Sequence, residues 1–363
     1  MDISSKEQTS IRTSSVRRGQ AKQRAQEHEE IFMQINPSRR HHKPFIALVL
    51  LLSASGLNAQ SDFEVPRTIN GQPDLQGVWA NNSTTPLQRP EFFADRATLT
   101  EDEYQRLLAR AAEIEAGGGD ALFGDGFLNA VITGEVESYD PSTGNYDQSW
   151  MASRNIERRT SLIVDPPNGR LPAMLSEARE RISTEALIRR ENPSDSYLSR
   201  PLQERCITYG MPYMLAGYNS YYQIVQSATH VAIIQEMIHD VRLIPLDGGA
   251  HVDANIRLWH GDSRGHFEGD TLVIETRNFS DDSVFMGAKG NRLFSERFTR
   301  TADDVLRYEF TIDDEQTWER PWTAVINYTH SEDPIYEYAC HEGNYALEGI
   351  LSGARAEERR AAE

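Results

Sequence analysis

The chain has 363 residues, enough for one large domain or two ordinary ones. A 39% hydrophobic and 25% charged composition excludes a disordered or membrane-embedded chain and fits a globular one with a real core. The formal charge of −18 repels nucleic acid and anionic lipid, so neither is an expected partner.

Residues 1–32 are polar and charged and read as a mis-assigned or disordered extension, with Met33 as the expected true start. Arg39, Arg40, His41, His42 and Lys43 then form a basic flank, Phe45 to Leu52 is an apolar run, and Ser53 to Ala59 is small and polar. That order is the pattern of a signal peptide over 33–59, cleaved after Ala59, and the run is too short to span a bilayer. The expected location is periplasmic or secreted, without stable membrane insertion. Residues 1–59 hold nine of the 37 basic and five of the 55 acidic side chains, so the remainder carries 28 against 50, net −22. In an oxidising compartment Cys206 and Cys340 are expected to form a disulfide, two buried thiols being the alternative.

Along the remainder, Gly77-Val78-Trp79 reads as a short strand after turn residues, and Thr84 to Pro90, with two prolines, as an extended loop. Thr100 and Glu103 form a capping box before Tyr104, Leu107, Leu108, Ala111 and Ile114 at helical spacing. Residues 117–150 lack periodicity and read as a long surface loop. A strand over Thr160 to Val164, a turn at Asp165 to Gly169 and a second helix over about Pro172 to Arg190 come next. Residues 60–200 are thus expected to supply one strand and a helical, loop-rich segment that packs on the β-rich C-terminal region.

Beyond Arg205 nine short strands are expected: Tyr222 to Gln226, His230 to Met237, Val241 to Leu246, Asn255 to Trp259, Thr271 to Thr276, Leu293 to Thr299, Val305 to Ile312, Trp322 to Tyr328 and Ile335 to Ala339. With tight turns between them and no crossover helices, residues 201–363 read as an antiparallel barrel or sandwich. The expected fold class is therefore mainly β with accessory helices.

The segments PDLQGVW (73–79), TPLQRP (85–90), YNSYYQIVQ (218–226), EMIHDVRLIPLDG (236–248), WHGDSRGHFEGDTLVIET (259–276), LRYEFTIDDEQTWERPWT (306–323) and YACHEGNYALEGILSGARAEE (338–358) resemble a family of uncharacterised exported bacterial proteins. The resemblance spans nearly all of the chain after residue 60 and implies no particular reaction. The chain departs from that pattern at Phe267, where tryptophan is commoner, and at Gly249-Ala250, where bulkier residues are usual. Gly77-Val78-Trp79 also resembles the opening of lipocalin-like barrels, where the indole plugs one end, which makes such a barrel the favoured version of the fold.

Three stretches could carry chemistry. His239 and Asp240, with Glu236 and Arg242, sit at an expected hairpin tip, where a histidine beside carboxylates is equipment for acid–base work; a solvated turn would hold the same residues. In the polar run 259–270, Asp262, Arg264 and Glu268 would bind a polar group over Trp259, or else form turns and clips. Ser263 lacks a nucleophile-elbow context. Next to Cys340, His341 and Glu342 could form a site or a rigid clamp, and no spacing supports a metal site. His239, Asp240, Asp262 and His341 are therefore the catalytic candidates, and Trp259, Arg264, Glu268, Arg242 and Glu342 the substrate-binding ones. No cofactor is expected, since no phosphate loop or dinucleotide fingerprint occurs. The expected function is an exported binder of a small organic or carbohydrate-like molecule, with acid–base catalysis as its enzymatic form and a non-catalytic carrier or structural module as the alternative.

Overall fold

The computed structural model describes residues 63–93, 95–116, 154–214 and 216–363. The expected start site, signal segment and cleavage point, and the expected loop at 117–150, lie outside the described residues.

Among the described residues ten antiparallel strands form one sheet: β1 (Gly77–Ala80), β2 (Ile163–Asp165), β3 (Tyr221–Gln226), β4 (His230–Gln235), β5 (Val241–Pro245), β6 (Asp262–Glu268), β7 (Thr271–Arg277), β8 (Leu293–Ala302), β9 (Val305–Asp313) and β10 (Trp322–Ser331). Three α-helices of the described residues accompany them, α1 (Glu101–Ala116), α2 (Ser176–Glu191) and α3 (Ala346–Ala361). The strand order is β5-β4-β3-β1-β10-β9-β8-β7-β6, with β2 paired to β10 off this path. Apart from β2, strands adjacent in sequence are adjacent in the sheet, except that β1 joins β10 and no ladder joins β5 to β6.

The two edge strands nevertheless pack through side chains. A Cβ on Gly265 of β6 would lie 2.8 Å from Ile244 Cγ2 of β5 and 3.1 Å from Leu246 Cδ2. Glycine at this inward position is what lets the β5 side chains reach the β6 backbone.

Alternation decides which face is buried. Phe294, Glu296 and Phe298 of β8, Leu306, Tyr308, Phe310 and Ile312 of β9, and Trp322, Ala324, Ile326 and Tyr328 of β10 all point inward. Trp322, Phe310, Phe294 and Phe279 form a chain of edge and tilted ring contacts, with centroid distances from 5.7 to 6.5 Å. Each buried ring of this kind contributes about 1.5–3 kcal/mol of apolar transfer free energy. Trp79 of β1 is fully buried, donates its indole N–H to the Leu75 carbonyl at 2.9 Å and has the Arg300 guanidinium over its ring.

The capping box forms as the sequence predicts. The Glu103 amide donates to Thr100 Oγ1 at 3.3 Å and the Thr100 amide donates to Glu103 Oε2 at 2.8 Å. Partial burial works against the Glu103 carboxylate, but bonds from Arg96 and Thr100 outweigh it and bring its pKa down to about 2.

Two expected strands are corrected. Residues 255–259 hold only the isolated bridge Leu258–Phe279, and 335–339 form no strand. Conversely the polar run 262–268 is strand β6, and the chain after β10 ends in helix α3 rather than in β structure. The disulfide is present, with Cα atoms of Cys206 and Cys340 5.8 Å apart, and it fits an oxidising compartment. Among the described residues no helix is long and apolar enough to cross a membrane.

Candidate functional site

At one end of the interior the inward positions change from hydrocarbon to ionisable groups. Arg242 of β5 reaches across to Glu296 of β8 in a two-pronged pair, Nη1 to Oε2 at 2.6 Å and Nη2 to Oε1 at 2.9 Å. The Tyr308 hydroxyl donates to the same carboxylate at 2.9 Å. Glu296 is 1% exposed and Arg242 11%, so the pair is withdrawn from water. Burial alone pulls the Arg242 pKa down, but the Glu296 carboxylate more than offsets this and holds the guanidinium above its usual value.

A row of stacked rings forms the wall beside this pair. Tyr222 stacks on Tyr328 at 5.1 Å, Tyr328 on Tyr308 at 5.3 Å, and Tyr308 on Phe298 at 4.6 Å. Burial raises the pKa of Tyr222, Tyr308 and Tyr328 well above the usual phenol value, so all three hydroxyls stay protonated. These residues, with Met211, Pro212, Tyr213, Gln235, Asp240 and His260, line one concavity. With its open mouth it measures about 400 Å³, and its enclosed part has room for only a few water molecules.

At the mouth, Thr208 Oγ1 donates to Asp240 Oδ2 at 2.7 Å and lies 2.6 Å from His260 Nε2. Because the hydroxyl gives its one proton to the carboxylate, His260 Nε2 must be the donor to Thr208. His260 Nε2 is also 3.3 Å from Asp240 Oδ2, and the Tyr209 amide donates to the same oxygen at 3.3 Å. A histidine with its tautomer set by a carboxylate, opening on a partly enclosed space, can give or take a proton.

The turn that presents Asp240 is strained. Ile238 and His239 are consecutive residues at φ 57° and 46°, and Ile238 is β-branched and buried. Such backbone costs on the order of 1–3 kcal/mol per residue and persists only where its surroundings over-determine it. The carboxylate of Glu236, whose pKa burial raises, accepts the Tyr336 amide at 3.0 Å. His239 Nδ1 donates to the Tyr338 carbonyl at 2.9 Å.

The candidates read from sequence do not gather in one place. Asp240 and Arg242 line the cavity. His239 faces Tyr338 rather than Asp240, its ring 6.3 Å from that of His341, and Glu342 lies exposed on the same segment. Asp262 bonds His251 Nδ1 at 2.8 Å and pairs with Arg264 at 3.3 Å, while His251 Nε2 lies 3.2 Å from Glu275. Among the described residues no hydrogen bond or ion pair joins this second cluster to the His239–His341 pair. Glu268 sits at the exposed end of β6 with His266 and Arg297, and Trp259 is exposed beside the mouth residue His260. Ser263 is buried against Thr276 Oγ1 at 2.9 Å, a structural contact. Among the described residues no group of histidine, cysteine, aspartate and glutamate has the geometry of a metal site.

Glu296, Tyr308, Thr208 and His260 were missed as site residues. For Glu296 a signal existed: it occupies an inward position between Phe294 and Phe298, where a carboxylate is out of place unless paired. No family model, curated protein or solved structure matches the chain.

Proposed function

We propose that the protein is an exported small-molecule-binding protein whose sheet curls into a lipocalin-like barrel, and that it performs acid–base chemistry on a polar organic molecule at the mouth of the tyrosine-walled cavity. One observation carries this: the Arg242–Glu296 pair, three buried tyrosine hydroxyls and the His260–Asp240–Thr208 group all converge on a single concavity. A fold has no need to gather them there, since a buried ion pair is often no more stabilising than packed hydrocarbon. The meander order, with its first and last strands paired and its edges packed at Gly265, supports the barrel. The disulfide and the apolar run at 45–52 support export, and the seven segments between residues 73 and 358 support membership of the exported bacterial family. In this reading His260 is the proton carrier, Asp240 and Thr208 orient it, and Arg242 with the tyrosines binds a polar group of the substrate. The substrate presents that group to the cavity and leaves its bulk at the mouth, because the enclosed space admits only a few waters.

The small enclosed space and the mutual saturation of Arg242 and Glu296 favour one second reading, a non-catalytic module in which the pair clips β5 to β8. Native mass spectrometry of the purified chain, searching for a retained small molecule, followed by the same measurement on His260→Ala and Tyr308→Phe, separates the two. Retention by the parent and loss in both variants is expected. A chain that carries nothing, and shows no ligand-induced shift of the Tyr308 or Tyr328 ring resonances across a library of small organic acids, alcohols and sugars, would leave the structural reading.

A further inference from the structure

Two segments remote in sequence meet at the cavity mouth, the turn 236–240 and the segment 335–345 that comes after β10. Two hydrogen bonds fasten them, Glu236 with the Tyr336 amide and His239 with the Tyr338 carbonyl, and a third fastening, the disulfide, ties Cys340 of the segment to Cys206. Asn344 adds a contact from its side-chain amide to Cys206 Sγ at 3.3 Å. Cys206 itself has φ 53° and stands two residues before Thr208, the hydroxyl that joins Asp240 to His260. Thus both partners of His260 come from stretches that the post-β10 segment ties down: Asp240 from the strained turn, Thr208 from the loop closed by the disulfide.

The geometry points to residues 335–345 as a redox-sensitive strap that positions Asp240 and Thr208 against His260, so that opening the Cys206–Cys340 disulfide rearranges the mouth of the cavity while the sheet stays folded. The step is thiol–disulfide exchange with a dithiol: its two sulfurs join in a new disulfide, and its two hydrogens end on Cys206 and Cys340 as thiols. None of the strap's three fastenings lies within a sheet ladder, and β1 with β7–β10 is paired independently of it. With the strap released, the consecutive left-handed residues 238 and 239 lose the contacts that hold them, and the turn relaxes to ordinary backbone. The inference deepens the proposed function, in that it concerns the same mouth, but it is a statement about position that does not require a ligand.

Its test uses the full chain with and without dithiothreitol, and the Cys340→Ser variant. Two readouts are taken: backbone hydrogen exchange, and the rate at which diethyl pyrocarbonate acylates His260, measured by peptide mass spectrometry. Expected on reduction is at least a tenfold loss of exchange protection in 236–240 and 335–345, a threefold or greater rise in the His260 acylation rate, and unchanged protection in β8, β9 and β10. His239→Ala, which removes one fastening and leaves the disulfide, should reproduce part of the rise. His239→Asn, which keeps a donor and tolerates the left-handed backbone, should restore the parent rate. If Cys340→Ser does not fold, the dithiothreitol and His239 arms still decide. An unchanged His260 rate on reduction overturns the proposal, as does unfolding of the whole sheet, since the disulfide would then clamp the fold and not the site. A chain that binds no ligand yet shows the expected exchange and acylation pattern would sink the proposed function and leave the strap standing.

Discussion

The interior has two ends built by the same strands, and they obey different rules. Around Phe279, Phe294, Phe310 and Trp322 the layer is aromatic and dry, with the buried Arg292 guanidinium 3.7 Å over the Phe279 ring and bonded to the Ser283 and Lys289 carbonyls; two to six residues along β8, β9 and β10, the positions of Glu296, Tyr308 and Tyr328 face Arg242 and a mouth lined by Asp240 and His260. The dry layer rests mainly on shape and hydrocarbon, which burial rewards directly. The polar layer has to satisfy every charge it buries, and it spends stability to keep them. The difference teaches where to look for function, since the first layer suffices to hold the sheet.

The comparison breaks if the two layers respond alike. Phe310→Ala should cost about 3–5 kcal/mol by opening a cavity in the dry layer, read as a lowered denaturant midpoint, with the mouth residues keeping their chemical shifts. Glu296→Leu should cost on the order of 3–5 kcal/mol, because it strands the Arg242 charge in the interior. Adding Arg242→Met to it should restore most of that loss. A double variant as unstable as the single one would mean that the pair is no separable unit and that the polar layer is structural after all.

A smaller effect comes from pH. Tyr222, Tyr308 and Tyr328 have folded pKa values raised by burial above the unfolded value of about 10. The folded chain therefore holds more protons than the unfolded one above that value, and stability, fully present below it, declines as pH rises further. Ultraviolet titration should show these three phenols ionising only together with unfolding; their ionisation in the folded state would refute the buried wall. The smallest effect tests the helix that stands apart from both layers. Glu103, depressed to about 2 from 4.5, adds stability that is present above pH 4.5 and fades as pH falls towards 2. Thr100→Ala should remove about 1 kcal/mol from the capping box and weaken that acid-side dependence, without touching the cavity.

Much of the sheet was legible because alternation is a strong signal wherever one face is buried. Strands β8, β9 and β10 alternate cleanly over their length, and the sequence places them within a few residues of their observed ends. Strand β6 hid because its inward residues are small, Ser263 and Gly265, a consequence of close approach by Ile244 that only the paired structure reveals. Helix α3 hid because Gly349 and Gly353 weaken its pattern. Asp240 and Arg242 were legible as site residues from chemistry packed into one short stretch. His260 and Thr208 were not, since they join Asp240 from loops that sequence distance does not relate. His239 was singled out for its neighbour in sequence, yet its left-handed backbone turns the ring away from Asp240 and towards Tyr338.

The pairing of β1 with β10 also governs the order of assembly. A chain delivered from its N-terminus forward must hold Gly77–Ala80 without its later neighbour until residues 322–331 have emerged, so this ladder can form only after nearly all the other strands have been made. The β8–β9–β10 meander can form from local hairpins, whereas the β1–β10 ladder waits on nearly the whole molecule, and such distant pairing is slow. Until that ladder forms, the facing edges of β1 and β10 are open to other chains.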